Sequence, residues 1–360
     1  MMNIRPCRKL MRTSLIERAP PAVSALGFAD PAHSPQRRNL AVQSKLIPRK
    51  SLMGQNLQLC RTRDEGLRRS CKRVGGARAY SEPSSGTQSG LSSEPTSSLL
   101  KQRMRNGDLV YGAFLMSTSP MVAELMAYTG YDFVIIDMEH GPGDYTTTLS
   151  MLQAVQGKGT SAIVRVPSND EVILKKVLDM GPDGVLIPMV NNAAEARSAA
   201  AACLYPPRGV RGVAYPLVRA SKWGFNPDYK DSYTKDLLVL VQVETSEAVA
   251  EVSDMARVEG IDGIFIGPLD LSASLGHLGD IGHPEVLRCM DGVKNRTLAE
   301  GKLIGGFAPA GSAVEAMMCA GDYTLVAGAV DMGLLRDAAV ADIARFKFQA
   351  NRTPLSKVEK

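Results

Sequence analysis

The chain has 360 residues, enough for one large domain or two small ones, and a formal net charge of +5. That charge sits at one end. The first 80 residues carry 17 Lys and Arg against four acids (Glu17, Asp30, Asp64 and Glu65), so the remainder is acidic. No basic stretch interleaved with aromatics points to a nucleic-acid surface, and no apolar run is long enough for a helix to cross a membrane.

The leader, residues 1–80, is rich in Arg, Ser and Ala and poor in acids, the composition of a mitochondrial transit peptide. It ends in Arg78-Ala79-Tyr80-Ser81, which resembles the cleavage site of the matrix processing peptidase, with the cut after Tyr80. The expected location is the mitochondrial matrix, or the cytoplasm if the leader is only a disordered basic extension. Residues 81–98 read as a flexible Ser/Gly/Pro linker that cannot bury a core. Cys7, Cys60 and Cys71 lie in the leader and Cys203, Cys289 and Cys319 beyond it. None has zinc-finger or Cys-x-x-Cys spacing, and Cys203 and Cys319, in Ala-rich helical surroundings, are expected to be buried reduced thiols.

From Leu99 onward, short apolar runs alternate with helical patterns. The runs predict strands over 109–115, 132–136, 161–165, 184–187, 237–243, 262–266, 302–306 and 323–327. Helices are predicted over 120–129, 144–156, 170–180, 192–204, 246–257, 284–300 and 311–320, with a last one near 330–347. Ser119 before Pro120 reads as an N-cap and first-turn pair, and Asn169 as the start signal of the next such helix. Gly130, Gly181 and Gly321 stand where helices end. Runs this short and continuous are typical of strands buried on both faces of a parallel sheet. Eight strand–helix units in ~250 residues, with no Gly-x-Gly-x-x-Gly turn after the first strand, predict an α/β fold. The expected architecture is a (β/α)8 TIM barrel over 99–347 with a disordered basic N-terminal extension and a tail at 348–360. Apart from this alternation no internal repeat is visible. Residues 205–236, which include the only Trp, Trp223, lack periodicity. A connection this long is expected to serve a site or an interface.

In such a barrel the carboxyl ends of the strands converge on one mouth. Asp137 and His140 follow the second strand, Arg165 ends the third, Gln242 and Glu244 end the fifth, and Asp270 follows the sixth. Glu244 and Asp270 can share a hard divalent cation, Mg2+ or Mn2+, which prefers oxygen ligands. The competing reading makes each acid a helix cap. A 2-oxo acid would chelate such an ion, which as a Lewis acid stabilises its enolate. Arg165 offers a planar positive fork to that oxyanion, or else a salt bridge to a nearby acid. His140 can exchange a proton near neutral pH, and Asp137, three residues earlier, can fix its tautomer. His277 and His283, in a Gly-rich loop and before a helix, read as solvated or capping residues.

The segments Ile136-Asp137-Met138-Glu139-His140-Gly141, Arg165-Val166-Pro167, Val241-Gln242-Val243-Glu244-Thr245 and Phe265-Ile266-Gly267-Pro268-Leu269-Asp270-Leu271-Ser272 together resemble the HpcH/HpaI aldolase family. So do Tyr205-Pro206-Pro207-Arg208-Gly209-Val210-Arg211-Gly212 and Arg219-Ala220-Ser221-Lys222-Trp223. The resemblance implies a metal-dependent (class II) aldolase, a carbon–carbon lyase that cleaves or forms 4-hydroxy-2-oxo acids through a pyruvate enolate. It implies Glu244 and Asp270 as metal ligands, with Co2+ or Zn2+ as alternatives to Mg2+ and Mn2+. Arg165, Gln242 and the backbone amides around Leu269 and Asp270 would hold pyruvate. His140, oriented by Asp137, would transfer protons, and Asp179 matches a further acidic position of the family. The partners it implies are a small 2-oxo acid and an aldehyde, within a homohexamer (a trimer of dimers) that exchanges the last helix. Phe114 and Phe307 stand where relatives vary and leave the acceptor aldehyde open. Three other readings compete: an oxaloacetate decarboxylase resembling macrophomate synthase, a citramalyl-CoA or malyl-CoA lyase, and a non-catalytic barrel that only binds a 2-oxo acid. Retention of Glu244, Asp270, Arg165 and His140 together argues against the last.

Overall fold

The computed structural model describes residues 99–352. The expected leader at 1–80, the linker at 81–98 and positions 353–360 lie outside the described residues. Eight parallel strands close into a barrel in chain order: β1 (Val110–Leu115), β2 (Phe133–Asp137), β3 (Ser161–Arg165), β4 (Gly184–Ile187), β5 (Leu238–Val243), β6 (Gly263–Ile266), β7 (Leu303–Phe307) and β8 (Leu325–Val330). Around them run α1 (Leu99–Arg105), α2 (Pro120–Tyr128), α3 (Tyr145–Val155), α4 (Glu171–Asp179), α5 (Ala193–Cys203) and α6 (Tyr229–Asp236). The chain continues through α7 (Ser246–Ala256), α8 (Pro268–Ser274), α9 (Pro284–Ala299), α10 (Ala313–Ala320) and α11 (Asp331–Arg352). The expected (β/α)8 barrel is the observed one. The last helix runs to Arg352, five residues past its expected end, so the segment expected as a tail from 348 begins as helix.

Side chains alternate along a strand, and two apolar clusters follow from that alternation. Phe133, Ile135, Ile163, Leu186, Leu238, Leu240, Phe265, Leu325 and Ala327 form the inner cluster. Their neighbours Val134, Ile136, Val164, Val185, Val239 and Val241 pack outward with the helices. Extending the inner parity to the carboxyl ends of the strands brings Asp137, Arg165, Gln242 and Glu244 onto the inner face. The strand that supplies the core therefore also aims the site.

The opposite end of the barrel is plugged. Leu100 and Met104 of α1 join the inner cluster. Lys101 is 4% exposed, and its ammonium meets Asp262 Oδ2 at 2.8 Å, Thr234 O at 2.9 Å and Leu237 O at 2.8 Å. All three donors are thereby satisfied. Removal of residues 1–97 is expected to leave the urea unfolding midpoint unchanged, whereas removal of 1–108 should cost more than ~4 kcal/mol. The larger deletion uncovers two core side chains, each worth about 2–5 kcal/mol, and strips Asp262 of its buried cation.

An aspartate brackets the start of three even-numbered strands. Asp132, Asp183 and Asp262 each donate their backbone N–H to the carbonyl of the second residue of the preceding strand, Tyr111, Ala162 and Val239. Each carboxylate then accepts the N–H of that same residue, at 2.8, 2.7 and 2.9 Å. Before β8 the position is Thr324, whose N–H and hydroxyl both donate to Ile304 O. This two-strand periodicity is an internal repeat that the alternation alone did not reveal. Burial pushes the Asp183 carboxyl up to about 7, opposed by the Ala162 N–H.

Two local expectations change: the cap of α4, and the burial of Cys319, which is exposed while Cys203 is buried. The cap of α4 is Asp170, which accepts from Val172 N and Ile173 N, while Asn169 donates instead to Glu195 O at 3.0 Å. Both are good capping residues, and the one nearer the first turn is used. The long segment 205–236 connects α5 to β5, and so lies at the end of the barrel opposite its own mouth. Arg219 donates to Met180 O there at 2.6 Å. Arg211, 2% exposed, lies 4.6 Å from the Tyr205 ring centre and donates to Asp179 at 3.2 Å.

Candidate active site

Arg165 is the centre of the mouth. Its Nε and Nη2 donate to the two oxygens of Asp137 at 2.8 and 2.7 Å, a bidentate pair. Its Nη1 stands 3.0 Å from Glu139 Oε2, and the guanidinium carbon lies 4.8 Å from the Phe114 ring centre. Phe114 in turn meets Phe307 edge-on, with ring centres 5.7 Å apart. The guanidinium is thereby fixed in plane by a carboxylate and backed by an aromatic face. Burial raises the Glu139 carboxyl, against the pull of Arg165.

Across the mouth, Glu244 is 2% exposed. It does not cap α7; Thr245 does, by accepting from Ala248 N. Glu244 Oε1 accepts the Met189 N–H at 2.7 Å and Oε2 accepts the Gln242 side-chain N–H. Met189 holds that N–H in place with a left-handed backbone, φ 53°, unusual for a residue with a side chain. Burial pushes the Glu244 carboxyl up to about 7; the Met189 and Gln242 bonds lower it, and Asp270 and Glu139 raise it further. Asp270 lies in the first turn of α8 and is exposed. No Lys or Arg among the described residues pairs with Glu244 or Asp270. Gln242 Oε1 is buried without a hydrogen-bond partner. Because the Gln242 amide nitrogen faces Glu244, the group keeps an uncommitted buried acceptor. Two carboxylates that no Lys or Arg salt-bridges, with a buried amide group beside them, are an oxygen donor set that fits a hard divalent cation.

A family model described as HpcH/HpaI aldolase/citrate lyase matches residues 110–338. The chain belongs to that family. The chain is 40% identical over 251 residues to a 2-keto-3-deoxy-L-rhamnonate aldolase of Shigella sonnei, covering 70% of this chain and 94% of that one. It is 38% identical over 247 residues to a hydroxypyruvate/pyruvate aldolase of Delftia acidovorans, covering 69% and 91%. Among solved structures, an HpcH/HpaI aldolase/citrate lyase family protein from Burkholderia cenocepacia superposes with a TM-score of 0.66 at 35% identity, over 69% of this chain and 98% of that one.

In this aldolase-family lyase, Asp137, Arg165, Gln242 and Glu244 come together on the inner face. Leu269 and Asp270 stand on the rim, where first-turn N–H groups of α8 have no intrahelical partner. His140 is also at the rim, exposed, and no hydrogen bond reaches its imidazole from among the described residues. Asp137 does not touch that ring. Its Oδ1 accepts the backbone N–H groups of Glu139 and His140 at 3.0 and 3.4 Å, so it positions the loop instead of the tautomer. The reason is competition, since Arg165 takes both oxygens. Asp179 is not brought to this mouth; it closes α4 at the other end and pairs with Arg211.

Sequence reasoning missed four participants. Glu139 lies inside the quoted Asp-Met-Glu-His run, and Asp331 follows β8 as the other acids follow their strands. Asp331 accepts from Met116 N and Ser117 N at 2.9 and 3.0 Å, tying the end of β1 to the start of α11. Met189 gave no signal, because its role is a backbone one. Gly267 is required by close approach: a Cβ there would fall 2.7 Å from Glu244 Oε2 and 2.9 Å from Gln242 Nε2. Overpacking of this kind typically costs 1–3 kcal/mol. Gly267→Ala is therefore expected to lower kcat at least ~10-fold and to lower the urea midpoint by an amount matching about 1–3 kcal/mol.

Proposed function

We propose that this lyase is a metal-dependent class II aldolase that cleaves or forms 4-hydroxy-2-oxo acids through the enolate of pyruvate. The observation that carries this reading is the buried Glu244 carboxylate, beside Gln242 and Asp270, with no Lys or Arg salt-bridged to it among the described residues. Glu244 and Asp270 would hold Mg2+ or Mn2+, and the ion would polarise the keto oxygen of the substrate. Arg165, held in plane by Asp137, binds the substrate carboxylate and the oxygen that gains charge as the enolate forms. The amides of Leu269 and Asp270 add donors from the α8 turn. Gln242, whose amide nitrogen donates one N–H to Glu244 and keeps a second, would help Arg165 hold the pyruvate moiety. His140, with an exposed imidazole at the rim, carries the proton between substrate and solvent. Phe114 and Phe307 line the mouth near Arg165 and bound the space left for the aldehyde.

Exchange of the pyruvate methyl protons in deuterated water tests the reading, because it needs enolate formation but no aldehyde. Exchange should require a divalent ion and slow by ~10²–10⁴ in His140→Ala, the usual reach of general acid–base catalysis. A parallel panel of hydroxy-oxo acids, oxaloacetate and citramalyl-CoA identifies the acceptor. Absence of both exchange and cleavage in the metal-loaded protein would overturn it.

Two further parts of the proposal rest on other features. The basic leader supports residence in the mitochondrial matrix with a mature start at Ser81, which N-terminal sequencing of the endogenous protein checks. Exposed Leu335, Val340, Ile343 and Phe346 on α11 support burial of that helix against a neighbouring copy in a homohexamer, checked by sedimentation.

A further inference from the structure

Between α8 and α9 the chain turns back on itself and gathers three metal-ligating side chains that the site above does not use. His277, His283 and Glu285 place one ligand atom each within 4.8 Å of one another. His277 Nε2 stands 2.9 Å from Glu285 Oε2. The two imidazoles are stacked, with ring centres 3.5 Å apart and planes 21° apart. Nδ1 of His283 accepts the Glu285 N–H at 3.3 Å, a long hydrogen bond that caps α9. The loop is folded in advance: His277 N donates to Ser272 O at 2.7 Å, Asp280 N to His277 O at 2.9 Å and His283 N to Asp280 O at 3.1 Å. Gly279 supports the turn with φ 82°, and its N–H donates to the Ser272 hydroxyl.

We propose that His277, His283 and Glu285 form a second metal site, selective for a borderline ion of the Zn2+ class. Two imidazoles and a carboxylate are the donors that suit zinc and its first-row neighbours, and they do not suit Mg2+. Zinc bonds of about 2.0–2.2 Å to nitrogen and oxygen require the stacked rings to splay by side-chain rotation, with the backbone left where it is. Three protein ligands leave the fourth position to water. The site does not depend on the aldolase reading. Its structural consequence is a cross-link from the end of α8, the helix that carries Asp270, to the start of α9.

The test is zinc competition against a chromophoric chelator, using the full chain in excess Mg2+. One equivalent of zinc per chain should bind the parent and also the Glu244→Gln/Asp270→Asn variant. Zinc X-ray absorption should show a nitrogen/oxygen shell with imidazole scattering and no sulfur. In His277→Gln/His283→Asn the affinity should fall by more than the ~10–100-fold that loss of an outer-shell partner alone costs. The Asn at 283 preserves a helix cap, so a urea midpoint equal to that of the parent without zinc separates lost ligation from misfolding. His277→Gln alone, which leaves the cap intact, should weaken zinc in the same direction. No zinc uptake by the parent, equal affinity in the histidine variants, or loss of zinc in the Glu244→Gln/Asp270→Asn variant would each overturn the proposal.

Discussion

Glu244→Gln is expected to lower kcat by at least ~10³ while leaving the barrel folded. The substitution keeps the shape of the side chain and an acceptor for the Met189 N–H, but it removes the charge that would hold a cation. A Lewis acid at a developing oxyanion is worth several kcal/mol, and three decades in rate correspond to about 4 kcal/mol. Stability should move the other way. Glu244 is a buried carboxylate that no Lys or Arg salt-bridges among the described residues, and a poorly compensated buried charge is costly. In the presence of a chelator the urea midpoint of Glu244→Gln should therefore equal or exceed that of the parent. Parent-level activity in this variant, or in the parent after exhaustive chelation, would remove the metal from the account.

At Arg165, two substitutions should separate chemistry from architecture. Arg165→Lys retains the charge but loses the planar fork, and it should cost ~10²–10³ in kcat, the usual price of a lost oxyanion donor, with a smaller rise in KM. Arg165→Met should cost about 3–5 kcal/mol of stability, because it strands the fully buried Asp137 carboxylate. Pairing Arg165→Met with Asp137→Leu should recover much of that stability, since replacing both members of a buried pair is often neutral, and should recover none of the activity. Steady-state kinetics together with urea unfolding distinguish the two outcomes. Equal losses of stability in the single and double variants would mean that Asp137 is held mainly by the backbone N–H groups of Glu139 and His140.

The barrel was legible because its strands are buried on both faces. Continuous apolar runs placed β1 to β7 within one residue of where they lie, and the strand-end acids and Arg165 shared the inward parity of the core. What escaped depends on distant contacts. The short polar helix α1 shows only two core residues in sequence, and its meaning comes from plugging a barrel assembled by the rest of the chain. Asp137 and His140 at a spacing of three read naturally as a carboxylate–imidazole pair. The competitor for that carboxylate, Arg165, arrives from the neighbouring strand and takes it. The orientation of Gln242 follows from one hydrogen bond to Glu244, and no periodicity encodes it.

The aspartate brackets at the start of β2, β4 and β6 repeat a visible Gly-x-Asp triplet, at Gly130-Tyr131-Asp132, Gly181-Pro182-Asp183 and Gly260-Ile261-Asp262. Unequal spacing, stretched by the 205–236 segment, disguises the repetition. Each bracket adds a side-chain bond between an odd strand and the even strand after it, while the carbonyl of the same aspartate accepts the first N–H of the next odd strand, at Ser161, Leu238 and Leu303. A chain break within a Gly-x-Asp triplet frees the bracketing residue, whereas a break elsewhere in the connections leaves every bracket intact. Circular permutants opened at 156–160, before β3, should therefore refold more readily than those opened at 129–132. The tolerance of this fold to rearrangement would then be set at the end of the barrel farthest from its chemistry.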